Sequence, residues 1–116
     1  MNDDIFKNIA DLIDKKEINK AQIELSRLHK KFKNNSEYLF LRSKIFYLSK
    51  LYYLAIDTLF IALEFKEDDK IYLLLAEIYK ILGNETLSKK IMDKNLRYSV
   101  VNEIKDTMTG LFRKKN

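Results

Sequence analysis

Apolar and polar positions alternate along most of this chain every three to four residues, the spacing that gathers side chains on one face of an α-helix. Segments 5–17, 39–51 and 72–84 carry the pattern as IFKNIADLIDKKE, LFLRSKIFYLSKL and YLLLAEIYKILGN, with Leu12, Phe46 and Tyr79 in their eighth positions. A second family follows, INKAQIELSRLHKKF, YYLAIDTLFIALEFK and ETLSKKIMDKNLRYS, aligned on Ala21, Ala55 and Ser88, each sixteen residues after the start of the segment before it and at separations of 34 and 33. Each pair reads as helix, short turn, helix. Self-similarity at this period is the signature of a helical array in which no repeat buries its apolar face alone. The expected fold is therefore all-α: three stacked antiparallel helical hairpins over about 2–35, 36–68 and 69–99, then a capping helix at 100–112, in one domain spanning 1–116.

The run LYYLAIDTLFIAL at 51–63 has one charge, Asp57. A membrane span needs about 20 consecutive apolar residues, so the segment is read as a helix sandwiched inside the stack. Ala55, Leu59 and Ala62 would meet their own partner helix, and Ile56, Phe60 and Leu63, rotated by about 100°, the next repeat. Only Asp57 and Glu64 are then left for solvent. In the last hairpin Lys89 and Asp93 replace Ile56 and Phe60, as expected where stacking ends. The segment after it, with Val101, Ile104, Met108 and Leu111 at amphipathic spacing, would cap the array. Gln22, Ser26 and His29 break the pattern, being polar where the first repeat should meet the second.

The arrangement resembles the tetratricopeptide (TPR) repeat, W-x2-L-G-x2-Y, then A-x3-F, then P. The third repeat matches best, through Tyr72, Leu75-Ala76, Tyr79, Gly83, Ser88 and Met92. The second holds Leu39, Phe46, Ala55, Leu59 and Ala62, with Arg42-Ser43 in place of Leu-Gly; the first holds Ile5, Leu12, Ala21 and Leu25, and no repeat has the closing proline. The resemblance implies that the first helix of each hairpin lines a concave groove. The row beside the packing stripe would then form a partner-binding site from Phe6, Ile13, Phe40, Lys44, Tyr47, Leu48, Leu73, Lys80 and Ile81, accompanied by Ala10, Asp14 and Glu77. Lys44 is the one basic residue at the positions where carboxylate-clamp grooves of this family carry Lys, Asn and Arg, so no clamp is expected. An apolar groove suits an amphipathic or hydrophobic helix of a protein partner. By size, repeat count and groove the chain is similar to the small TPR chaperones of type III secretion. The alternatives are a scaffold that forms a homodimer through the groove, cover by the chain's own terminal helix, and a weak nucleic-acid binder.

Composition removes other classes. The 116 residues include no cysteine, no proline and two glycines, with a formal net charge of +5. Disulfides and cysteine-ligated zinc are thereby excluded. Lys outnumbers Arg eighteen to four, whereas base reading and bidentate phosphate contacts favour Arg; the clusters Lys30-Lys31-Lys33, Lys89-Lys90 and Arg113-Lys114-Lys115 are read mainly as solvated faces, and no specific nucleic-acid partner is expected. His29 is the sole histidine, and Gly83 and Gly110 cannot build a phosphate loop. No catalytic residue, metal or cofactor is expected, and the chain is not read as an enzyme. MNDDIFKNIADLIDKKE lacks the features of a secretion leader, so a cytoplasmic location is expected and no membrane span. Tyr47 and Tyr53 are singled out as aromatics exposed for contact.

Overall fold

The computed structural model describes the backbone of residues 2–115 and the side chains of residues 4–107. Among them are eight helices and no strand: α1 (Asn2–Asp14), α2 (Ile18–Arg27), α3 (His29–Phe32), α4 (Ser36–Leu48), α5 (Tyr52–Phe65), α6 (Asp69–Ile81), α7 (Glu85–Met92) and α8 (Arg97–Lys115). They form three hairpins, α1–α2, α4–α5 and α6–α7, followed by α8 as the terminal helix, which is the architecture expected from the periodicity.

The hairpin turns carry the repeat more faithfully than the side chains do. Lys16, Lys50 and Gly83 have φ of 64°, 62° and 89°, and they follow one another at the separations of Ala21, Ala55 and Ser88. At each turn two backbone amides reach back to the helix just ended. Lys16 N–H donates to Ile13 O and Glu17 N–H to Leu12 O (both 2.9 Å); Lys50 donates to Tyr47 O (3.0 Å) and Leu51 to Phe46 O (2.9 Å); Gly83 donates to Lys80 O (3.0 Å) and Asn84 to Tyr79 O (2.9 Å). This is the Schellman closure, which satisfies the last carbonyls of a helix through one left-handed residue.

The chain divides into two compact units, residues 1–71 and 72–116. In the first, α1 and α2 both pack on α4, and α4 and α5 form the most extensive helix pair. Ala21, Ala55 and Ala62 are completely buried, as the closest helix contacts require, and Leu25 and Leu59 are buried beside them. Asn35 caps α4, its Oδ1 accepting from Tyr38 N–H at 3.0 Å.

Three details depart from the expected pattern. First, α1 is rotated by about one residue: Phe6, Ile9 and Ile13 are buried, whereas Ile5 is exposed and Leu12 half-buried. Phe6, Ile9 and Ile13 are themselves spaced i, i+3, i+7, so the segment contains two competing apolar stripes and the bulkier one faces inward. Second, the second helix of the first hairpin is not continuous over 18–32 but breaks at Leu28, between α2 and α3. Just before the break Ser26 Oγ donates to Ile23 O at 2.8 Å, a local bond of the kind that bends helices. The break lets α3 return Phe32 to the core, edge-on to Phe6 with ring centroids 5.2 Å apart. Third, the polar residues of α2 and α3 acquire a reason. Tyr38 is buried, and its Oη lies 2.8 Å from His29 Nδ1, so a polar partner at His29 is what lets a tyrosine sit there. Gln22 and Ser26 line a small cavity of about 90 Å³ together with Arg42 and Phe46.

In the second unit Ser88 Oγ donates to Ala76 O at 2.7 Å, joining α7 to α6 with both residues buried. Asn84 caps α7, accepting from Leu87 N–H at 3.1 Å. Asp93 ends α7 rather than lying on its face: its Oδ1 accepts from Asn95 N–H at 2.8 Å in the turn to α8. Lys89 and Asp93 are both exposed, in keeping with a polar outer side for the last hairpin. The terminal helix begins three residues before the expected 100. Its first residue, Arg97, is buried, donates through Nε to Ile91 O at 3.1 Å, and lies over the Tyr72 ring at 4.6 Å. Val101 is buried and Ile104 half-buried; Met108 and Leu111 fall outside the described side chains.

Candidate partner-binding surface

The residues of the expected groove row differ in burial. Phe6 and Ile13 belong to the core and are unavailable to a partner. Phe40, Lys44, Tyr47 and Leu48 on α4 are all half-buried. Phe40 is bracketed by cations, with Lys70 Nζ 4.9 Å and Lys44 Nζ 6.0 Å from its ring centroid. Each lysine also has an acid: Lys70 pairs with Glu37, and Lys44 Nζ lies 4.0 Å from Asp14 Oδ1. Such pairs on a wet surface contribute about 0–1 kcal/mol, but they tie up the polar groups that would flank a ligand. Tyr47 rests edge-on to Tyr52, with centroids 6.1 Å apart. In the second unit Leu73, Lys80 and Ile81 are exposed along α6, with Glu77 between them.

Beside this row, in the first unit, opens a cleft of about 730 Å³ lined by Phe6, Ala10, Phe65 and the polar segment 34–37, with Lys66 and Lys70 at its rim. Polar side chains dominate it. It offers no dry pocket for an apolar helix.

A second set of exposed apolar residues in the first unit lies on α5. On α5 the residues Tyr53, Leu54, Ile61 and Phe65 are 72%, 48%, 45% and 49% exposed. With 3.6 residues per turn, they fall within an arc of about 120° that also holds the two acids Asp57 and Glu64, and every buried residue of α5 lies outside it. Ile56 and Phe60 are buried and Leu63 half-buried, but the solvent side is not confined to Asp57 and Glu64. Tyr53 is exposed as expected, while the contribution of Leu54, Ile61 and Phe65 was not foreseen. The signal was present. A helix apolar around its whole circumference has more greasy surface than one partner helix and one neighbouring repeat consume.

Asp57 sits inside this arc. It makes no hydrogen bond or ion pair among the described residues, and partial burial among apolar neighbours raises its carboxyl above the ordinary value of 3.8. No protein family, curated protein or solved structure matches the chain. Its surfaces must therefore be read from their own chemistry. Among the described residues no three His, Cys, Asp or Glu side chains are grouped to hold a metal ion, and no helix is long and apolar enough to cross a membrane.

Proposed function

We propose that this chain is a TPR-like protein-interaction module, an adaptor or small chaperone that takes an amphipathic or hydrophobic helix of a partner, and that it is not an enzyme. The observation that carries the reading is the exposed arc of α5. Tyr53, Leu54, Ile61 and Phe65 present an apolar strip on a 14-residue helix, roughly 21 Å long at 1.5 Å per residue. Isolated exposed apolar side chains are ordinary, whereas four large ones gathered on one arc of a helix around two acids suit a docking surface. Tyr53 supplies an anchor that is apolar along its ring and polar at its tip.

Support for the TPR-like frame comes from the left-handed turn residue recurring at Lys16, Lys50 and Gly83, in step with Ala21, Ala55 and Ser88. A chaperone of the type III secretion kind would use such a strip to shield an aggregation-prone helix until it is delivered. The same reading places the chain in the cytoplasm. The exposed Leu73 and Ile81 of α6 are what remains, in the second unit, of the groove row inferred from the repeat pattern.

The test is purification of the tagged protein from its native cells, with two double variants alongside. Tyr53→Ser/Ile61→Ser removes two anchors of the strip, and Phe40→Ser/Tyr47→Ser removes the half-buried α4 row. Loss of a stoichiometric helix-bearing partner from the first variant alone, with its helical circular dichroism unchanged, is expected. Loss from the second alone, that variant still folded, would return the site to the concave row.

A further inference from the structure

We propose that the α5 strip selects its partner by a cation: the bound helix places a Lys or Arg opposite Asp57, between the apolar anchors Tyr53 and Ile61. The inference rests on the α5 reading above and adds to it the chemistry of the occupant. Asp57 is flanked by Tyr53 and Ile61, one helical turn to either side, with Leu54 three residues before it and Phe65 eight after. No side chain of the described residues pairs with it. An apolar helix laid across the strip would strip water from this carboxylate without replacing its hydrogen bonds, an arrangement that opposes binding strongly. A cation on the incoming helix reverses the sign. Once water is excluded the pair contributes attraction, and partners lacking the cation are rejected.

The same carboxylate argues against a second copy of this chain as the occupant. Asp57 lies near the middle of α5. A two-fold interface built on the strip places each α5 against its equivalent. The two Asp57 carboxylates would then approach one another, with Glu64 in the same arc and no cation of the arc to separate them. The occupant is accordingly a different helix, apolar along one face and carrying one basic residue within that face.

Three synthetic amphipathic peptides of about four helical turns test this, identical except for Lys, Gln or Glu at the centre of the apolar face. Their affinities for the full chain would be read by fluorescence anisotropy against wild type, Asp57→Asn and Asp57→Lys, each checked for helicity. Wild type is expected to prefer Lys to Gln by about tenfold, the effect of a close charge pair worth about 1.4 kcal/mol, with Glu weakest. Asp57→Asn should bind the Lys and Gln peptides alike, and Asp57→Lys should prefer Glu. Equal binding of the Lys and Gln peptides by wild type overturns the cation proposal while leaving the strip as a docking surface. Binding of none of the three by a folded protein overturns the docking reading itself, and the proposal with it. A dimer in sedimentation equilibrium that Tyr53→Ser/Ile61→Ser converts to monomer names a second copy as the occupant and likewise overturns the proposal.

Discussion

Replacing Lys50 with glycine should make the protein more stable, although it deletes a charged side chain. Lys50 closes α4 with φ of 62°, and Lys16 closes α1 with φ of 64°. An L-residue with a Cβ pays about 1–2 kcal/mol in this region, because Cβ crowds the following carbonyl. Glycine escapes that strain but gives back about 0.5–1 kcal/mol through the greater freedom of its unfolded chain. The net gain lies between about 0 and 1.5 kcal/mol per turn, with a central value of about 0.5–1 kcal/mol. Neither lysine is used in an ion pair or hydrogen-bonded side-chain contact among the described residues, so little is lost with the side chain. With about 4 °C per kcal/mol for a chain of this size, each single variant should melt about 2–4 °C higher. The two turns share no partners, so Lys16→Gly/Lys50→Gly should give about twice the shift. Gly83, at φ 89° with nothing within 4 Å of an added Cβ, supplies the mirror experiment. Gly83→Ala meets no steric obstacle there, so its expected loss of about 1 kcal/mol is conformational strain alone. Thermal melts followed by far-UV circular dichroism decide the matter. Lys50→Gly and Lys16→Gly that both melt at or below wild type would mean that the three turns are not equivalent closures, and the repeat frame built on them would fall.

Ala55→Leu forces three carbons into the fully buried α4–α5 contact and should cost about 1–3 kcal/mol, whereas Leu54→Ser, one residue away on the exposed arc, should barely move the melting point; the reverse order would refute the assignment of faces. Tyr38→Phe removes the hydroxyl that meets His29 and should cost about 0.5–1.5 kcal/mol in a denaturant titration, with no loss of helicity. Asp57 is raised above its ordinary 3.8, so the stabilisation linked to its protonation is fully present below that value and is lost as pH rises through the raised one. Asp57→Asn should therefore melt slightly higher than wild type at neutral pH, an advantage that vanishes below about pH 4, and an advantage growing in acid would contradict the cause given for the shift.

How much of this was legible in the sequence depends on how many physical constraints met at each position. Ala21, Ala55 and Ser88 were readable because close helix approach admits only small residues, and they are buried as expected. Gly83 announced its turn, but Lys16 and Lys50 did not, since lysine carries no turn signal and only the repeat frame points to them. In α1 the Ile5–Leu12 and Phe6–Ile9–Ile13 stripes are both helical, and local periodicity cannot choose between them. Pairing of Phe6 with Phe32 across the hairpin makes the choice. The break at Leu28 and the buried Arg97 depend on carbonyls and rings brought close by the fold. Leu54, Ile61 and Phe65 could not be placed outside from the sequence, because α5 carries apolar residues around most of its circumference and its periodicity does not divide inner from outer; only Tyr53 was expected to be exposed.

The central claim, that the outer arc of α5 receives a partner helix, is tested most directly by nuclear magnetic resonance on the isotopically labelled chain, small enough at 13.9 kDa for complete amide assignment. The lysine-centred amphipathic peptide would be titrated in, and the amides that shift would be mapped. The account predicts saturable shifts centred on Tyr53, Leu54, Asp57, Ile61 and Phe65, with α1 unaffected. Shifts centred instead on Phe40, Tyr47, Leu73 and Ile81, or no saturable shift anywhere, would contradict it.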